Sequence, residues 1–181
     1  MNKIAIVTGG AGFIGSHCVD LLIKNDYKVR VIDSLIGGSE NNLSHINSSN
    51  IYFENRDIRG IKPDDKIFKD AELVFHFAGI GDIVPSITHP ADYMSVNAQG
   101  TVNILECCRH WQHIKKFIYA ASSSCYGKAS TPTSELNEIN PLYPYALSKY
   151  NGEQASLHWH RVYNMPVNSI RIFNASANFA T

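Results

Sequence analysis

The chain has 181 residues, of which sixteen are Lys or Arg and sixteen are Asp or Glu, so its formal net charge at pH 7 is zero. This length suits one well-buried domain, and the balanced charge argues against nucleic acid or an anionic membrane as a partner. The four cysteines form no CxxC pair and no His/Cys spacing suited to zinc, so we expect reduced thiols and no metal site.

The first apolar run, residues 4–7, ends at glycines and is too short for a secretory signal or a membrane span, so we expect a cytoplasmic protein. Further β-branched runs alternate with segments of helical period, which is typical of βαβ units in a parallel sheet covered on both faces. The sequence predicts six strands, at 3–8, 28–33, 51–54, 72–77, 115–121 and 167–172. It predicts helices at 12–25, 90–111 and 143–164, and shorter turns near 40–47 and 63–70.

Right-handed crossovers between these strands predict an α/β fold, a doubly wound parallel sheet of the Rossmann type with strand order 3-2-1-4-5-6. Two stretches that follow the carboxyl ends of strands, 34–41 and 127–142, are predicted to be loops. Because ligands bind at this edge of doubly wound sheets, we expect the functional site there.

A glycine-rich segment, Thr8-Gly9-Gly10-Ala11-Gly12-Phe13-Ile14-Gly15, joins the first predicted strand to the first helix. It fits both GxGxxG and GxxGxxG, spacings that permit a tight turn, close approach of a pyrophosphate and tight helix–strand packing. The helix N-terminus adds unpaired N–H groups and a positive dipole end. Asp33 follows Gly15 by eighteen residues, close to the offset at which an acid binds the adenosine ribose and repels a 2′-phosphate. The segment therefore predicts an NAD site, with a plain strand-ending turn as the alternative.

Tyr145 and Lys149 are four residues apart in the predicted helix 143–164, so both side chains lie on one helical face. Lowering the pKa of a phenol by about three units takes ~4 kcal/mol of preferential stabilisation of the phenolate, which an adjacent ammonium would help to supply. The run Ser122-Ser123-Ser124 ends the fifth predicted strand and offers a hydroxyl to hold a substrate oxygen. Alone, each feature is an ordinary helix pair or polar turn, but their order behind a nucleotide loop favours a catalytic site.

From TGGAGFIGSH at Thr8 through RIFN at Arg171, the sequence resembles the extended short-chain dehydrogenase/reductases, in particular the NAD-dependent sugar-nucleotide epimerase/dehydratase family of UDP-glucose 4-epimerase-like enzymes. The resemblance implies that Tyr145 is the catalytic base and that Lys149 binds the nicotinamide ribose while lowering the tyrosine pKa. Ser122 matches the catalytic serine or threonine, with Ser123 as the alternative. The implied substrate-binding residues are Ser122, Ser123, Ser124 and Asn174.

By this resemblance the cofactor contacts are spread along the carboxyl edge of the predicted sheet. The glycine segment would hold the pyrophosphate, the segment after the second strand would close over the adenosine, and the segment after the third would contact the adenine. The full implied set is Gly9, Gly12, Phe13, Ile14, Gly15, Asp33, Ser34, Gly38, Asp57, Ile58, Phe77, Ala78, Gly79, Asn97, Tyr145 and Lys149. Of these, Asn97 falls in the structural asparagine position of the family.

The resemblance also bears on the type of reaction. The family's 4,6-dehydratases carry an Asp-Glu pair, and its decarboxylases a glutamate, just after the catalytic threonine, where this chain has Ser123 and Ser124. Elimination of water needs such an acid or base and oxidation at C4 does not, which favours a 4-epimerase of a nucleotide sugar, with a UDP-sugar expected. The expected cycle is hydride transfer from the sugar C4 to NAD, rotation of the 4-keto sugar and return of the hydride to its other face. A dehydratase or decarboxylase, and a non-catalytic NAD-binding fragment, are the alternatives.

Family members continue past RxFN with a turn and a small sugar-nucleotide lobe. Here Asn174 is followed by an atypical tail, 175–181, so we assign 1–174 to the NAD-binding domain and expect the chain to be a fragment, a truncated product or a degenerate homologue that lacks the lobe.

Helices 90–111 and 143–164 match the pair that many relatives pack into an intersubunit four-helix bundle, which predicts a homodimer, although a monomer's own core explains the apolar positions equally well. The apolar candidates for that face are Tyr93, Val96, Val102, Leu105, Trp159 and Tyr163.

Two further side chains with reactive groups lie near the predicted site. His76 belongs to the apolar strand 72–77, and a histidine there is more often a hydrogen-bonded core residue than an acid or base. Cys125 follows the serines, but nothing in the sequence near it would lower its pKa as a nucleophile requires. We therefore interpret both as structural residues.

Overall fold

The computed structural model describes residues 3–46 and 49–176 of the chain. Its centre is a sheet of six strands in the order β3-β2-β1-β4-β5-β6, all paired in parallel. The predicted doubly wound topology is confirmed, and each predicted strand end is correct to within one residue. The strands are β1 (Lys3–Thr8), β2 (Tyr27–Asp33), β3 (Ile51–Asn55), β4 (Leu73–His76), β5 (Lys116–Ser122) and β6 (Val167–Ile172).

The helices depart from the prediction in one region. Instead of a single helix over 90–111, the chain forms two α-helices with a π-helix between them, and a further short helix precedes them. That short helix spans five residues with a proline in its first turn, too few to show a periodicity in the sequence. The elements are α1 (Phe13–Lys24), α2 (Val84–Thr88), α3 (Pro90–Tyr93), the π-helix (Met94–Gly100), α4 (Thr101–Trp111) and α5 (Pro144–Tyr163), with short 3-10 helices at Glu40–Leu43, Ile58–Gly60, Lys66–Phe68 and Ser123–Tyr126.

Two apolar clusters fill the two faces of the sheet. Successive residues of a strand point to opposite faces, so Ile6 packs in the cluster that contains Ile104 of α4, whereas Val7 packs in the cluster that contains Val19 of α1. All four side chains are fully buried, and burial of each stabilises the fold by roughly 1.5–3 kcal/mol. The sheet is thereby a rigid platform with α1 on one face and α4 and α5 on the other.

The six apolar candidates for a dimer face divide by their exposure. Tyr93, Val96 and Leu105 are buried in the core of this chain, so they are not available to a partner. Val102 and Trp159 are half-buried, and Trp159 donates its Nε1–H to Glu106 Oε1 over 2.8 Å, whereas Tyr163 is exposed. The homodimer therefore stays a prediction that rests on fewer residues than the sequence suggested.

The parallel sheet directs all six strand ends to one edge. The segments that follow these ends are the glycine turn 9–12, and the segments 34–39, 56–58, 77–82, 122–126 and 173–175. None of the helices within residues 3–46 and 49–176 is long and apolar enough to cross a membrane. Of the predicted features, residue 47 of the turn 40–47 and residues 177–181 of the tail lie outside the described residues.

Candidate functional site

A groove runs along the carboxyl edge of the sheet and consists of two adjoining cavities. The first has a volume of about 610 Å³ and lies beyond β1, β2 and β3, and the second has about 410 Å³ and lies beyond β1, β5 and β6. The glycine turn and the segment after β4 line both. The groove lies at the edge of the sheet where the sequence analysis expects the functional site, since ligands bind outside the carboxyl ends of the strands.

The glycine turn between β1 and α1 is packed too tightly for side chains. Gly9 has a φ of +71°, and a Cβ there would lie 2.5 Å from the backbone nitrogen of Ala78. A Cβ on Gly15 would lie 2.1 Å from the carbonyl oxygen of Gly9. Gly12 caps α1 in extended conformation without a side-chain hydrogen bond, and the first residues of the helix, Phe13, Ile14 and Gly15, line the second cavity. The turn therefore presents the backbone of a helix N-terminus to the groove, which is an arrangement suited to phosphate groups.

Asp33, at the end of β2, is buried and holds two loops together. Its Oδ2 accepts a hydrogen bond from the backbone N–H of Ala11 over 2.9 Å, and its Oδ1 accepts one from Leu35 over 2.8 Å. The carboxylate thus joins the glycine turn to the loop after β2, and both line the first cavity together with Ser34 and Gly38. A negative charge is fixed in the wall where the sequence predicts the adenosine ribose.

The far wall of the first cavity contains Asp57 and Ile58. The carboxylate of Asp57 caps the 3-10 helix that follows it and accepts hydrogen bonds from the Arg59 side chain, which holds the pKa of Asp57 below its ordinary value. Ile58 is buried, and a Cβ on Gly100 of the π-helix would lie 2.6 Å from its Cδ1. Arg56 also lines this cavity, but its guanidinium is occupied by ion pairs with two carboxylates.

The second cavity brings the predicted catalytic side chains together. The hydroxyl of Tyr145 is 3.5 Å from the Oγ of Ser122, and Tyr145, Ser122 and Lys149 all line this cavity, as do Phe77, Gly79 and Asn174. The Oγ of Ser122 is 2.7 Å from the Oγ of Ser124. Among the described residues, Ser123 and Ser124 are not part of the lining, and Ser124 reaches it only through Ser122. The structure therefore groups Ser122 with Tyr145 and Lys149 and leaves Ser123 apart.

Lys149 has an unusual environment for an ammonium group. Its side chain is only 7% exposed, and its Nζ lies over the ring of Tyr119, 4.6 Å from the centroid. Burial lowers the pKa of Lys149 to about 8, against an opposing effect of Glu153. The group is therefore cationic at neutral pH but close to its titration range.

Asn97 supports the groove from behind. Its side-chain Nδ2 donates to the carbonyl of Ile80 and to Ser148 Oγ, over 3.0 and 2.9 Å, and its Oδ1 accepts from the Ile80 N–H over 2.9 Å. The amide is thus bonded on both sides to the chain itself. It fixes the segment after β4 against α5, between Tyr145 and Lys149, which agrees with a structural asparagine rather than a direct ligand contact.

His76 and Cys125 have the structural environments predicted for them. His76 is fully buried between Thr8 and Thr101, and burial and the Lys149 charge lower its pKa to about 3. Burial raises the pKa of Cys125, so its thiol is not activated. No group of three or more His, Cys, Asp and Glu side chains in the described parts of the chain is arranged to hold a metal ion.

Comparison with known proteins identifies the family. A model of the NAD dependent epimerase/dehydratase family matches residues 5–180. The chain belongs to this family. It is 42% identical over 172 residues to a putative UDP-glucose 4-epimerase of Methanocaldococcus jannaschii, an alignment that covers 93% of this chain and 55% of that protein.

Two solved structures of the epimerase/dehydratase family illustrate the range of the likeness. A UDP-N-acetylglucosamine 4-epimerase from Methanobrevibacter ruminantium superposes with a TM-score of 0.88 at 34% identity, over 94% of this chain and 54% of that one. A dTDP-glucose 4,6-dehydratase from Streptomyces venezuelae, solved with NAD bound, superposes with a TM-score of 0.85 at 28% identity, over 93% and 55%. The chain therefore spans about half the length of the relatives that it matches.

Several residues that line or support the groove were not assigned to it from the sequence, and three of them contact other residues of the site. Arg56 directly precedes Asp57, but no sequence motif distinguishes it from an ordinary surface arginine. Tyr93 was interpreted as part of a dimer face, whereas its hydroxyl donates to the Gly81 carbonyl over 2.7 Å and its ring meets that of Tyr145 edge-on, with centroids 6.2 Å apart. Tyr119 lies in the predicted strand 115–121 and outside the cavity lining, and its contact with Lys149 depends on how β5 packs against α5.

Proposed function

We propose that this chain binds NAD in the groove and carries the catalytic residues of a nucleotide-sugar 4-epimerase. The observation that carries the proposal is the grouping of Tyr145, Ser122 and Lys149 in one cavity that adjoins the glycine turn. Membership of the NAD dependent epimerase/dehydratase family supports the same reaction class. Because the chain spans about half of its relatives, turnover by this chain is itself part of the proposal.

The residues of the groove fit a dinucleotide. Gly12 and the first residues of α1 line the second cavity, so a diphosphate there would accept hydrogen bonds from the backbone N–H groups of the helix N-terminus. Asp33 would receive the adenosine ribose hydroxyls and repel a 2′-phosphate. Arg56 lines the same cavity as Asp33, but its guanidinium is held by Glu54 and Asp65. It is therefore not free to attract a 2′-phosphate and offset the repulsion by Asp33. This arrangement favours NAD over NADP.

The chain's own residues account for the proton transfer. NAD, when bound, supplies the acceptor and donor of the hydride. Tyr145 takes the proton of the sugar C4 hydroxyl, and Ser122 holds the same oxygen by a hydrogen bond. The charged Lys149 stabilises the tyrosinate and donates its N–H groups to the nicotinamide ribose. This requires a protonated lysine, so activity falls as the pH rises through about 8.

Epimerisation fits the second cavity better than elimination does. The described lining of this cavity contains no Asp or Glu, and positions 123 and 124 are serines. Removal of water or carbon dioxide needs an additional acid or base beside the tyrosine. The likeness to a 4,6-dehydratase keeps dehydration or decarboxylation as the second candidate.

The test measures cofactor binding and turnover separately. Calorimetric titration of the chain with NAD, NADP and a UDP-sugar is followed by product analysis with UDP-glucose and UDP-N-acetylglucosamine. We expect NAD binding, and interconversion of 4-epimers of unchanged mass that Tyr145→Phe slows ~10²–10⁴-fold. Tyr143→Phe is the matched control, since Tyr143 directly precedes the same helix but is exposed.

Each of the other outcomes would contradict a different part of the proposal. Absence of NAD binding would refute the proposal as a whole. NAD binding without binding of any nucleotide sugar would make the chain a non-catalytic module. A product that has lost water or carbon dioxide would replace the epimerase with the second candidate, and full activity of Tyr145→Phe would remove the tyrosine from the chemistry.

A further inference from the structure

Lys149 is a buried ammonium without an ion-pair partner in the part of the chain that the structure describes. The nearest carboxylate along α5, Glu153, instead accepts hydrogen bonds from Ser169 and from Arg171 Nε, over 2.8 and 3.1 Å. A charge removed from water without an opposite charge is strongly disfavoured. Glu153 raises the pKa of Lys149 without forming an ion pair with it, so a group in direct contact with the ammonium is needed to fix its direction.

The group that meets Lys149 is Tyr119 of β5. The Nζ of Lys149 lies 4.6 Å from the centre of the Tyr119 ring, well within the distance at which an aromatic face attracts a cation. The hydroxyl of the same tyrosine donates a hydrogen bond to the backbone carbonyl of Lys149 over 3.0 Å. One side chain thus contacts both ends of the lysine.

The helix is shaped to admit this phenol. A Cβ on Gly152, three residues after Lys149, would lie 2.3 Å from the Tyr119 hydroxyl and 2.6 Å from the carbonyl oxygen of Asn97. A glycine inside a helix is unfavourable for the helix itself, so this one is explained by the packing of the phenol beneath it. Tyr119 is fully buried and lies three residues before Ser122 on the same strand.

We propose that Tyr119 is a positioning residue for Lys149: its ring holds the ammonium in place and its hydroxyl holds the helix backbone, so that the N–H groups of the lysine point into the groove. The functional meaning rests on the proposed role of Lys149, but the contact itself does not. Strand β5 then carries both Ser122 and the support of Lys149, so one rigid element sets the spacing of serine, tyrosine and lysine.

The titration of Lys149 reports on this contact. The groups that interact with it are Glu153 on α5, His76 on β4 and Tyr119 on β5, and Tyr145 lines the same cavity. His76 is neutral above its low pKa, and burial raises the pKa of Tyr119, so neither changes charge near neutral pH. Loss of the ring should therefore lower the pKa of Lys149, whereas loss of the hydroxyl alone should leave it nearly unchanged.

The experiment follows the Lys149 side chain by NMR of the full chain labelled at lysine, with Lys149→Met to assign its signals. In the unsubstituted chain the Lys149 side-chain protons next to the ammonium should be shifted upfield by the Tyr119 ring, without any cofactor present. Tyr119→Leu should lower the Lys149 pKa by about one unit or more and weaken NAD binding about tenfold. Tyr119→Phe should keep the pKa and lose affinity only a few-fold, and Tyr163→Phe, which removes a phenol hydroxyl from the exposed last residue of α5, should change neither.

If no lysine side-chain signal of the unsubstituted chain is shifted upfield, the proposal is overturned, even if no variant folded. An unchanged Lys149 pKa in a folded Tyr119→Leu chain would overturn it equally. Because both readings need no ligand, they are independent of the proposed function. If NAD fails to bind while the shift and the pKa behave as expected, the role of the groove is wrong and the positioning of Lys149 stands.

Discussion

Replacement of Gly15 by alanine tests the tight packing of the glycine turn. The added Cβ would lie 2.1 Å from the carbonyl oxygen of Gly9, which is about 0.9 Å closer than the 3.0 Å below which such contacts essentially never occur. The obstacle is backbone, so the turn itself must move. Overpacking of this kind costs about 3 kcal/mol at the upper end of its usual range, and the better helix propensity of alanine returns ~1 kcal/mol. We expect a net loss of about 2 kcal/mol and a melting temperature lower by about 4–8 °C.

The assay combines thermal unfolding with NAD titration of the folded chain. Because the turn is displaced where the diphosphate would bind, NAD affinity should fall at least about tenfold, or ~1.4 kcal/mol. Gly60→Ala is the control, since a Cβ there meets nothing within 4 Å and the position is exposed outside the groove. It should be neutral or stabilising by about 0.4–1 kcal/mol. Equal melting temperatures and NAD affinities for the two variants would refute the reasoning.

Two further substitutions test charges in the groove. Asp33→Asn keeps an oxygen for one of the two backbone N–H groups but removes the negative charge, so calorimetry should show weaker NAD binding and a smaller preference over NADP; an unchanged preference would contradict the assignment. The pKa of Lys149 is about 8 in the folded chain, against an ordinary value of 10.5 that applies to the unfolded chain. Between these pH values the lysine is protonated in the unfolded chain and largely deprotonated in the folded one. Stability should therefore rise with pH across that window by up to roughly 3 kcal/mol, and denaturant titrations of Lys149→Met should lack this rise while those of Lys128→Met retain it.

The sheet was predictable because its information is local. The strands are short runs rich in apolar and β-branched residues that alternate with helical segments, and right-handed crossovers restrict their order, so their number, ends and order follow from the sequence. The π-helix was not predictable in this way. It holds Asn97, whose amide bonds Ile80, seventeen residues away, and Ser148, fifty-one residues away. The apolar period of the segment 90–111 indicates a helix, but only these distant contacts select its wider turn.

The candidate site shows the same division between local and distant information. Tyr145 and Lys149 share a helical face because of their spacing, and this relation needs no tertiary structure. Ser122 lies at the end of strand β5, and the run of three serines there identified it. What the motif could not reveal is that the Ser124 hydroxyl turns onto Ser122 rather than into the cavity, or that Tyr119 lies beneath Lys149. Such supports depend on which strands are neighbours, and no short pattern contains them.

The two halves of the groove are connected through His76, and the direction of each hydrogen bond follows from the number of protons available. Thr101 donates its single hydroxyl proton to the carbonyl of Asn97 over 2.7 Å, so it must accept from His76 Nε2–H, which is 2.9 Å away. His76 Nδ1 is then the acceptor, and Thr8 donates to it over 2.6 Å.

A neutral histidine with one defined tautomer therefore links β1, at the residue before the glycine turn, to the π-helix. From there Asn97 bonds Ser148 Oγ, and Ser148 donates to the backbone carbonyl of Tyr145 over 2.8 Å. Thr8, His76, Thr101, Asn97 and Ser148 are buried, so a broken bond among them leaves a polar group unsatisfied at a cost of about 1–3 kcal/mol. His76, which the sequence analysis interpreted as a structural residue, thus helps to fix the distance between the glycine turn and Tyr145. The folded interior sets this distance, so a bound ligand does not have to create it.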